Sequence, residues 1–214
     1  MEKADLTSEQ YDSLIERIFK ILAELGPSHT TMDLLARRLS MSKRTLYEIF
    51  GSKDDMIKQI LEHLQKKHQT QIETVSSQCD NVMEMMVHVL LYQQQIMSSL
   101  SAKFFKDMDD RYSHLRGDYE SNSRKWTDHI SSAINLGISQ GVFRPEANYH
   151  VILPLMRVQM ESLKRMEEYF PPEITLAEAY SAIAQGFLRS IATPKGLLIL
   201  EQLTSKVTPD NEIN

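Results

Sequence analysis

Apolar residues recur three and four positions apart along most of this chain, which is the spacing of one face of an α-helix. The clearest case follows a capping box at Thr7–Gln10 and stops before Gly26-Pro27. Its apolar residues are Tyr11, Leu14, Ile15, Ile18, Phe19, Leu22 and Leu25. Sustained alternation of β-branched and polar residues, which would indicate strands, is missing from the sequence. The pattern therefore predicts an all-α protein.

Two short helices around a tight turn are predicted next, over residues 31–50. Thr31 is placed to cap the first of them, and its apolar stripe is Leu35, Ala36 and Leu39. Ser40-Met41-Ser42 is too short for anything but a turn. Ser42 then caps a second helix, which Leu46 and Phe50 anchor to a core.

The second helix leaves a cationic and hydroxyl-bearing group on its outer side, near its N-terminus. These residues are Lys43, Arg44, Thr45 and Tyr47. A recognition helix presents side chains to the major groove of DNA from this position. Lysine and arginine neutralise phosphates or donate to guanine, and hydroxyl groups donate to phosphate. A plain helical hairpin with a solvated basic face is the alternative interpretation.

The same stretch resembles the helix-turn-helix signature of the tetracycline-repressor (TetR) family. The matching positions are Thr30-Thr31, Ala36, Ser42-Lys43, Thr45-Leu46-Tyr47 and Phe50-Gly51-Ser52-Lys53-Asp54, and the match is dense over residues 22–61. Ser40 and Arg44 stand where the family often has glycine, and Glu48-Ile49 replace an aromatic or histidine pair. The resemblance implies binding of double-stranded DNA, with Thr31, Ser42 and Lys53 joining the DNA-binding residues.

Net charge supports DNA binding only once its distribution is considered. The whole chain carries a formal charge of −5, which is not typical of a nucleic-acid binder. Residues 26–53, however, contain five Lys+Arg against two Asp+Glu. The positive charge is therefore concentrated on the helix-turn-helix, and we expect the acidic remainder to stay off the DNA.

The remaining sequence predicts a connecting helix and a second helical domain. The connector runs from Ser52 to about Gln71, and an apolar helix capped by Asp80 follows. Further helices are predicted over residues 102–111, 115–140, 147–169, 175–191 and 193–203. We divide the chain into a DNA-binding domain over residues 8–68, a ligand-binding and dimerisation domain over residues 69–206, and a disordered tail over residues 207–214.

The resemblance implies a homodimer on a palindromic operator, because one recognition helix reads only a few base pairs. The helices after Pro145 and Pro172 are the expected interface, where the small residues Ala177 and Gly186 allow close approach. The predicted interface residues are Leu155, Met156, Tyr180, Ala184 and Phe187. The alternative is that they pack inside one bundle.

The resemblance also implies a small-molecule effector, which we expect to be apolar and to release a repressor from its operator. The candidate ligand-binding residues are Met86, Leu90, Gln93, Met97, Phe104, Phe105, Tyr119 and Trp126. Methionine side chains suit an adaptable cavity. An ordinary methionine-rich core is the alternative. Two other functions stay open: a DNA-binding member without an effector, and a helical protein-interaction module.

Other function classes find little support in the sequence. We find no nucleophile motif, metal-ligand cluster or glycine-rich phosphate loop, so no enzyme, metal or cofactor is expected. His63 and His68 are five residues apart, which is not a metal-ligand spacing on a helix, and both are expected to be solvated. Cys79 is the only cysteine, so no intrachain disulfide can form. No apolar run reaches membrane length, and we expect a cytoplasmic protein without a membrane partner.

Overall fold

A computed structural model describes residues 6–116 and 130–205, and most of these residues are helical. The single bridge of extended backbone in these ranges joins Phe143 to Ala192. The predicted all-α class is confirmed. In chain order the α-helices are α1 Ser8–Leu25, α2 Met32–Leu39, α3 Lys43–Phe50, α4 Lys53–Gln78, α5 Val82–Ser98, α6 Ala102–Asp110, α7 130–139, α8 Tyr149–Ser162, α9 Met166–Tyr169, α10 Leu176–Ile191 and α11 Pro194–Ser205.

The described residues form two compact units. The first contains the chain up to Thr70, the segment from Ser99 to Arg116, and Lys164–Pro171. The second contains Gln71–Ser98 and the remaining described residues. Sequence reasoning placed one division between residues 68 and 69, so it gave α6 and α9 to the second domain, whereas both helices belong to the first unit.

The first unit is built around one apolar core that α1, α2, α3 and the start of α4 share with α6. Each helix contributes the face that its apolar spacing predicts. The buried residues are Leu14, Ile15, Ile18, Leu22, Met32, Leu35, Ala36, Leu39, Leu46, Ile49, Phe50, Met56, Ile57, Ile60, Phe104, Met108 and Tyr112. Complete burial of the inner faces of α2 and α3 fixes which side chains of α3 remain outside.

Polar contacts join α1 to α4 along the edge of this core. Tyr11 donates to the Gln59 side chain, Asp12 lies 3.3 Å from His63 Nδ1, and Lys67 bonds Glu16. The His63 side chain is only 18% exposed, so the prediction of a solvated His63 is wrong. The error arose because the spacing of two histidines on α4 does not show that α1 packs beside one of them.

His68, the other histidine expected to be solvated, is also partly buried. Burial lowers its pKa from the ordinary value, because desolvation disfavours the charged imidazolium. His68 is therefore not the freely solvated side chain that the sequence predicted.

The second unit has its own core, formed mainly where α10 and α11 pack on α5. Val142 and Phe143, from the loop after α7, fill the space beside them. Gly141 ends α7 with φ +69°, as the predicted glycine cap requires. Gly196 allows α11 to approach this loop closely, because a Cβ there would lie 2.3 Å from the Val142 carbonyl oxygen.

Helix boundaries differ from the predictions at three places, the first of which is α4, which continues to Gln78 instead of ending near Gln71. Asn81, rather than Asp80, caps α5 by accepting from the Glu84 amide at 3.0 Å. The helix predicted over residues 147–169 is interrupted by a 3₁₀ turn at Leu163–Arg165. Residues 117–129, within the helix predicted over 115–140, and the predicted tail over 207–214 lie outside the described residues. Within the described ranges no helix is long and apolar enough to cross a membrane.

Candidate nucleic-acid interface

Hydrogen bonds fix the start of α2, the turn that follows it and the start of α3. Thr31 caps α2 by accepting from the Leu34 amide at 3.1 Å, and Ser42 caps α3 by accepting from the Thr45 amide at 2.9 Å. The C-terminus of α2 closes in a Schellman arrangement, in which the Ser40 and Met41 amides donate to carbonyl groups of the last turn. The predicted helix-turn-helix is therefore present, with the predicted caps.

The burial of α3 defines its outer face. Leu46, Ile49 and Phe50 point into the core and are at most 4% exposed. Arg44 and Glu48 lie on the opposite side of the helix, one turn apart, and Tyr47 lies beside them and is 42% exposed. Sequence reasoning missed Ile49 as a core residue and Glu48 as a member of the outer face.

Two exposed ion pairs occupy this face. Lys43 on α3 bonds Asp33 on α2 with 2.7 Å between Nζ and Oδ2. Arg44 bonds Glu48 with 2.7 Å between Nε and Oε1, although the Arg44 side chain is 88% exposed. The Asp33 hydrogen bond raises the pKa of Lys43, and the Glu48 hydrogen bond raises the pKa of Arg44. Both cations therefore remain charged, and carboxylates orient them in the absence of DNA.

The hydroxyl groups at the start of α3 form one local network. Ser42 Oγ and Thr45 Oγ1 lie 2.8 Å apart, so one hydroxyl donates to the other. Both side chains lie at the N-terminus of the helix, where backbone amides and the helix dipole favour a negative group. The arrangement leaves one of the two hydroxyl groups to donate beside Lys43, which suits a phosphate contact.

Lys53 has a different environment from the other predicted DNA-binding residues. Its ammonium donates to the Pro27 carbonyl oxygen at 2.6 Å and lies 5.8 Å from the centre of the Tyr112 ring. These contacts tie the start of α4 to the loop before α2 and to the segment after α6. A phosphate contact by Lys53 would compete with them.

Helix α6 supports the loop that precedes the helix-turn-helix. The Asp107 carboxylate accepts from the Ser28 amide at 2.7 Å. Phe104 packs edge-on against Phe19 of α1, with 5.9 Å between ring centres. The buried Thr30 hydroxyl donates to the Gly26 carbonyl oxygen at 2.9 Å in the same loop. Sequence reasoning missed this supporting role of α6, since nothing in the local pattern links residues 101–112 to the first helix.

The predicted ligand-binding residues that the structure describes belong to two different units. Met86, Leu90, Gln93 and Met97 all lie on α5 in the second unit, where Leu90 is a core residue. Phe104 is buried in the core of the first unit, where it contacts Phe19 of α1, and Phe105 packs partly against the same core. Tyr119 and Trp126 lie outside the described residues.

The second unit contains a cleft on α5, and none of the predicted ligand-binding residues that the structure describes lines it. It has a volume of about 560 Å³ and lies between α5, the end of α4 and the start of α10. Its lining residues are Gln71, Leu91, Tyr92, Gln94, Gln95, Ser98 and Ala177. Five of these seven residues carry an amide or hydroxyl group, so the cleft offers more hydrogen-bonding groups than the predicted site.

The predicted interface residues fall into two groups. Ala184 and Phe187 are buried in the core of a single chain, so for them the alternative of packing inside one bundle is correct. Met156 and Tyr180 pack partly against the same core. Leu155 is 57% exposed and is the predicted residue with the most apolar surface still uncovered.

Comparison with known proteins was made by sequence and by structure. A family model described as bacterial regulatory proteins of the tetR family matches residues 14–60, which cover most of α1, the helix-turn-helix and the start of α4. The predicted resemblance is confirmed by this match. No curated protein matches the chain by sequence.

Solved structures share the fold over most of the chain. The ketosteroid transcriptional regulator KstR2 of Mycobacterium tuberculosis is 17% identical with a TM-score of 0.60, over 88% of this chain and 97% of that one. The TetR-family regulator PfmR from Thermus thermophilus is 21% identical with a TM-score of 0.55, over 82% and 97%. A protein from Saccharomonospora viridis, described as a transcriptional regulator and solved in complex with choline, is 16% identical with a TM-score of 0.67, over 87% and 100%.

Proposed function

We propose, from the premise that this chain belongs to the TetR family of transcriptional regulators, that it is a homodimeric repressor which an effector releases from a palindromic operator. The observation that carries the proposal is the outer face of α3. There a capped, firmly packed helix leaves Lys43, Arg44 and Tyr47 exposed. Regulators of this family are generally not enzymes, and we propose no catalytic activity.

The outer face supports insertion of α3 into the major groove. Lys43 and the hydroxyl groups of Ser42 and Thr45 lie at the N-terminal end of the helix and suit phosphate. Arg44, in the first turn, and Tyr47, one turn later, lie on the exposed side of the helix, which suits contacts with base edges or the sugar–phosphate backbone. The four-residue spacing that buries Leu46 and Phe50 leaves these side chains outside.

An uncovered apolar stripe on α8 supports dimerisation. Val151, Leu155 and Val158 recur at intervals of four and three residues and are 49%, 57% and 67% exposed. Such a stripe on a helix is usually buried against a partner. Helices α8 and α10 contact each other in the second unit, so a second copy of the chain can cover both.

The exposed side of α10 carries small residues. Ala182 and Gly186 are both exposed and lie one turn apart. A Cβ added to Gly186 would meet no atom of the chain within 4 Å, so the packing of one chain does not require glycine there. Close approach of a partner helix would instead require glycine at position 186, because small residues allow two helices to pack closely.

The dimer is tested by sedimentation equilibrium on variants of these two faces. Gly186→Leu adds a side chain that the single chain can accommodate, and Leu155→Glu places a charge in the apolar stripe. We expect both variants to be monomeric with unchanged helical content. Leu198→Glu, on the 57% exposed Leu198 of α11, is the matched control and should remain dimeric. A wild-type protein that is monomeric at micromolar concentration contradicts the proposed dimer.

The cleft beside α5 supports an effector site. Its volume of about 560 Å³ suits a small molecule. The similar protein from Saccharomonospora viridis was solved with choline bound, which supports a small-molecule site in this architecture. We expect ligands that raise the melting temperature to lower operator affinity, because an effector must bind the non-binding state more tightly than the DNA-binding state. Gln94→Ala should weaken ligand binding, and Gln202→Ala on α11 is the control.

The whole proposal is tested by footprinting wild-type protein on genomic fragments that it retains. We expect two symmetric protected half-sites, with centres about 10 base pairs or a multiple of that apart. Addition of a stabilising ligand should remove the protection. Asymmetric protection would contradict binding by a symmetric dimer. Ligand binding without release of the protein from DNA would favour a DNA-binding regulator that has no effector.

A further inference from the structure

Glu48 is an acidic residue in the middle of a surface that is otherwise suited to a polyanion. It lies on the outer side of α3, opposite the buried Leu46 and Ile49 and one turn beyond Arg44. Its side chain is 29% exposed and is held by Arg44, with 2.7 Å between Oε1 and Nε. A helix placed in the groove by this face brings Glu48 to the DNA together with Arg44.

Glu48 approaches DNA as a carboxylate. The hydrogen bond from Arg44 lowers the pKa of Glu48 below its ordinary value, so the group is ionised at neutral pH. An ionised carboxylate only accepts hydrogen bonds and repels phosphate oxygens. It therefore cannot replace a backbone contact, and it needs a donor on the DNA or remains bound to Arg44.

The major groove offers few donors to a carboxylate. Guanine presents the acceptors N7 and O6, and thymine presents the acceptor O4 beside a methyl group. Adenine presents its N6 amino group next to the acceptor N7, which repels a carboxylate. Cytosine presents its N4 amino group without a neighbouring acceptor on the same base, so it is the base that Glu48 suits best.

We propose that Glu48 is a specificity-determining residue, which accepts a hydrogen bond from a cytosine amino group while Arg44 donates to a guanine on the same or the neighbouring base pair. The inference rests on the proposed function, since it requires α3 to enter the major groove. The existing Arg44–Glu48 bond holds both side chains on one side of the helix, so the pair is oriented before DNA arrives.

Asp33 provides a natural comparison for Glu48. It also bonds a cation of α3, Lys43, at 2.7 Å, but it lies in the first turn of α2 rather than on α3. It competes with phosphate for the Lys43 ammonium and is not on the helix that faces base edges. Loss of the Asp33 charge should therefore strengthen binding to all DNA, whereas loss of the Glu48 charge should change which bases are selected.

The test is selection of bound sequences from a random DNA library by wild-type protein, Glu48→Gln and Asp33→Asn. Wild type should enrich half-sites that contain one fixed G·C base pair if Arg44 and Glu48 contact the same pair, or two adjacent G·C pairs if they contact neighbouring pairs. Glu48→Gln should lower the preference for cytosine over thymine at the position that Glu48 contacts about ten-fold, the size of one lost base contact. It should also raise adenine at that position, because glutamine both donates to and accepts from adenine.

Asp33→Asn should select the same sequence as wild type with uniformly higher affinity. Melting temperatures of both variants within a few degrees of wild type exclude unfolding as the cause. The proposal for Glu48 is overturned if the selected half-sites contain no fixed cytosine, or if Glu48→Gln selects the wild-type sequence unchanged. Enrichment of no sequence by wild type would instead contradict the proposed function as a sequence-specific repressor, and this inference with it.

Discussion

Ser40 is the residue at which this helix-turn-helix departs most from ordinary backbone geometry. It ends α2 in the left-handed region, with φ 55° and ψ 41°. It is the non-glycine residue with positive φ among the residues that the structure describes. Residues with a β-carbon have a steric cost in this region, and glycine does not. The turn that aims α3 therefore carries a small strain.

We predict that Ser40→Gly stabilises the protein. Relief of the left-handed strain exceeds the extra chain entropy of glycine, so the free energy of unfolding should rise by about 0.5–1 kcal/mol. Urea denaturation measures this change. Ser40→Ala keeps the β-carbon and should leave stability close to wild type. Equal stabilities for the glycine and alanine variants would show that the backbone at residue 40 is not strained.

Local residue patterns predicted the caps of this region and failed for its long-range partners. Thr31 and Ser42 were identified because an N-cap bonds an amide only three residues away. The partners of Lys43 and Lys53 lie at Asp33 and Pro27, ten and 26 residues away, and depend on how helices pack. No spacing rule within α3 or α4 contains that information.

At the scale of elements, α6 shows what an amphipathic pattern leaves undecided. The amphipathic pattern over residues 102–111 predicted a short helix, and α6 is that helix, with Phe104 and Met108 buried. It did not indicate which neighbour covers that face, and the neighbour is α1 rather than α5. The same limit applies to Phe187 on α10, since burial inside one chain and burial in a dimer produce the same sequence pattern.

We predict that Phe104→Ala destabilises the first unit by about 3 kcal/mol, because it removes a buried aromatic side chain and leaves a cavity against Phe19. DNA affinity should fall in parallel, since the loop before α2 loses part of its support. Tyr169→Ala is the matched control, because Tyr169 belongs to the same unit and is 60% exposed. Thermal unfolding of both variants checks the prediction, and equal melting temperatures would contradict it.

Helix α10 carries a pH-dependent contribution to stability. Burial raises the pKa of Tyr180 to about 12 from its ordinary value of 10.0, since the phenolate is poorly solvated there. Between these two values the unfolded chain loses the phenolic proton and the folded chain keeps it. Stability is therefore complete below about pH 10 and is lost as the pH rises towards 12.

We predict that Tyr180→Phe flattens this alkaline loss by up to about 2 kcal/mol, because phenylalanine has no proton to release. Denaturant unfolding of wild type and variant at several values between pH 9 and 12 measures the difference. Parallel stability curves over this interval would show that Tyr180 is ionised as easily in the folded as in the unfolded chain.

At the scale of the whole molecule, the fold could be predicted from the sequence. Which distant residues lie together could be predicted only in part. Helical periodicity and the helix-turn-helix signature sufficed for the fold class and for the helix-turn-helix itself, because both are local in sequence. Residues 99–116 were predicted to belong to the second domain, but they lie in the first unit. The described residues predicted for one ligand site lie in two separate units. Such long-range assignments depend on packing that a single sequence does not encode in any short pattern.

The central claim, that the outer face of α3 binds DNA, is tested most directly by the salt dependence of affinity. Fluorescence anisotropy on one retained fragment should be measured for wild type and the double variant Lys43→Ala/Tyr47→Ala between about 50 and 200 mM salt. Lys195→Ala, which changes an exposed lysine of α11, is the control. We predict that the double variant binds at least about ten-fold more weakly with a salt slope reduced by about 1, while the control matches wild type. Equal affinity and slope for wild type and the double variant would contradict the account.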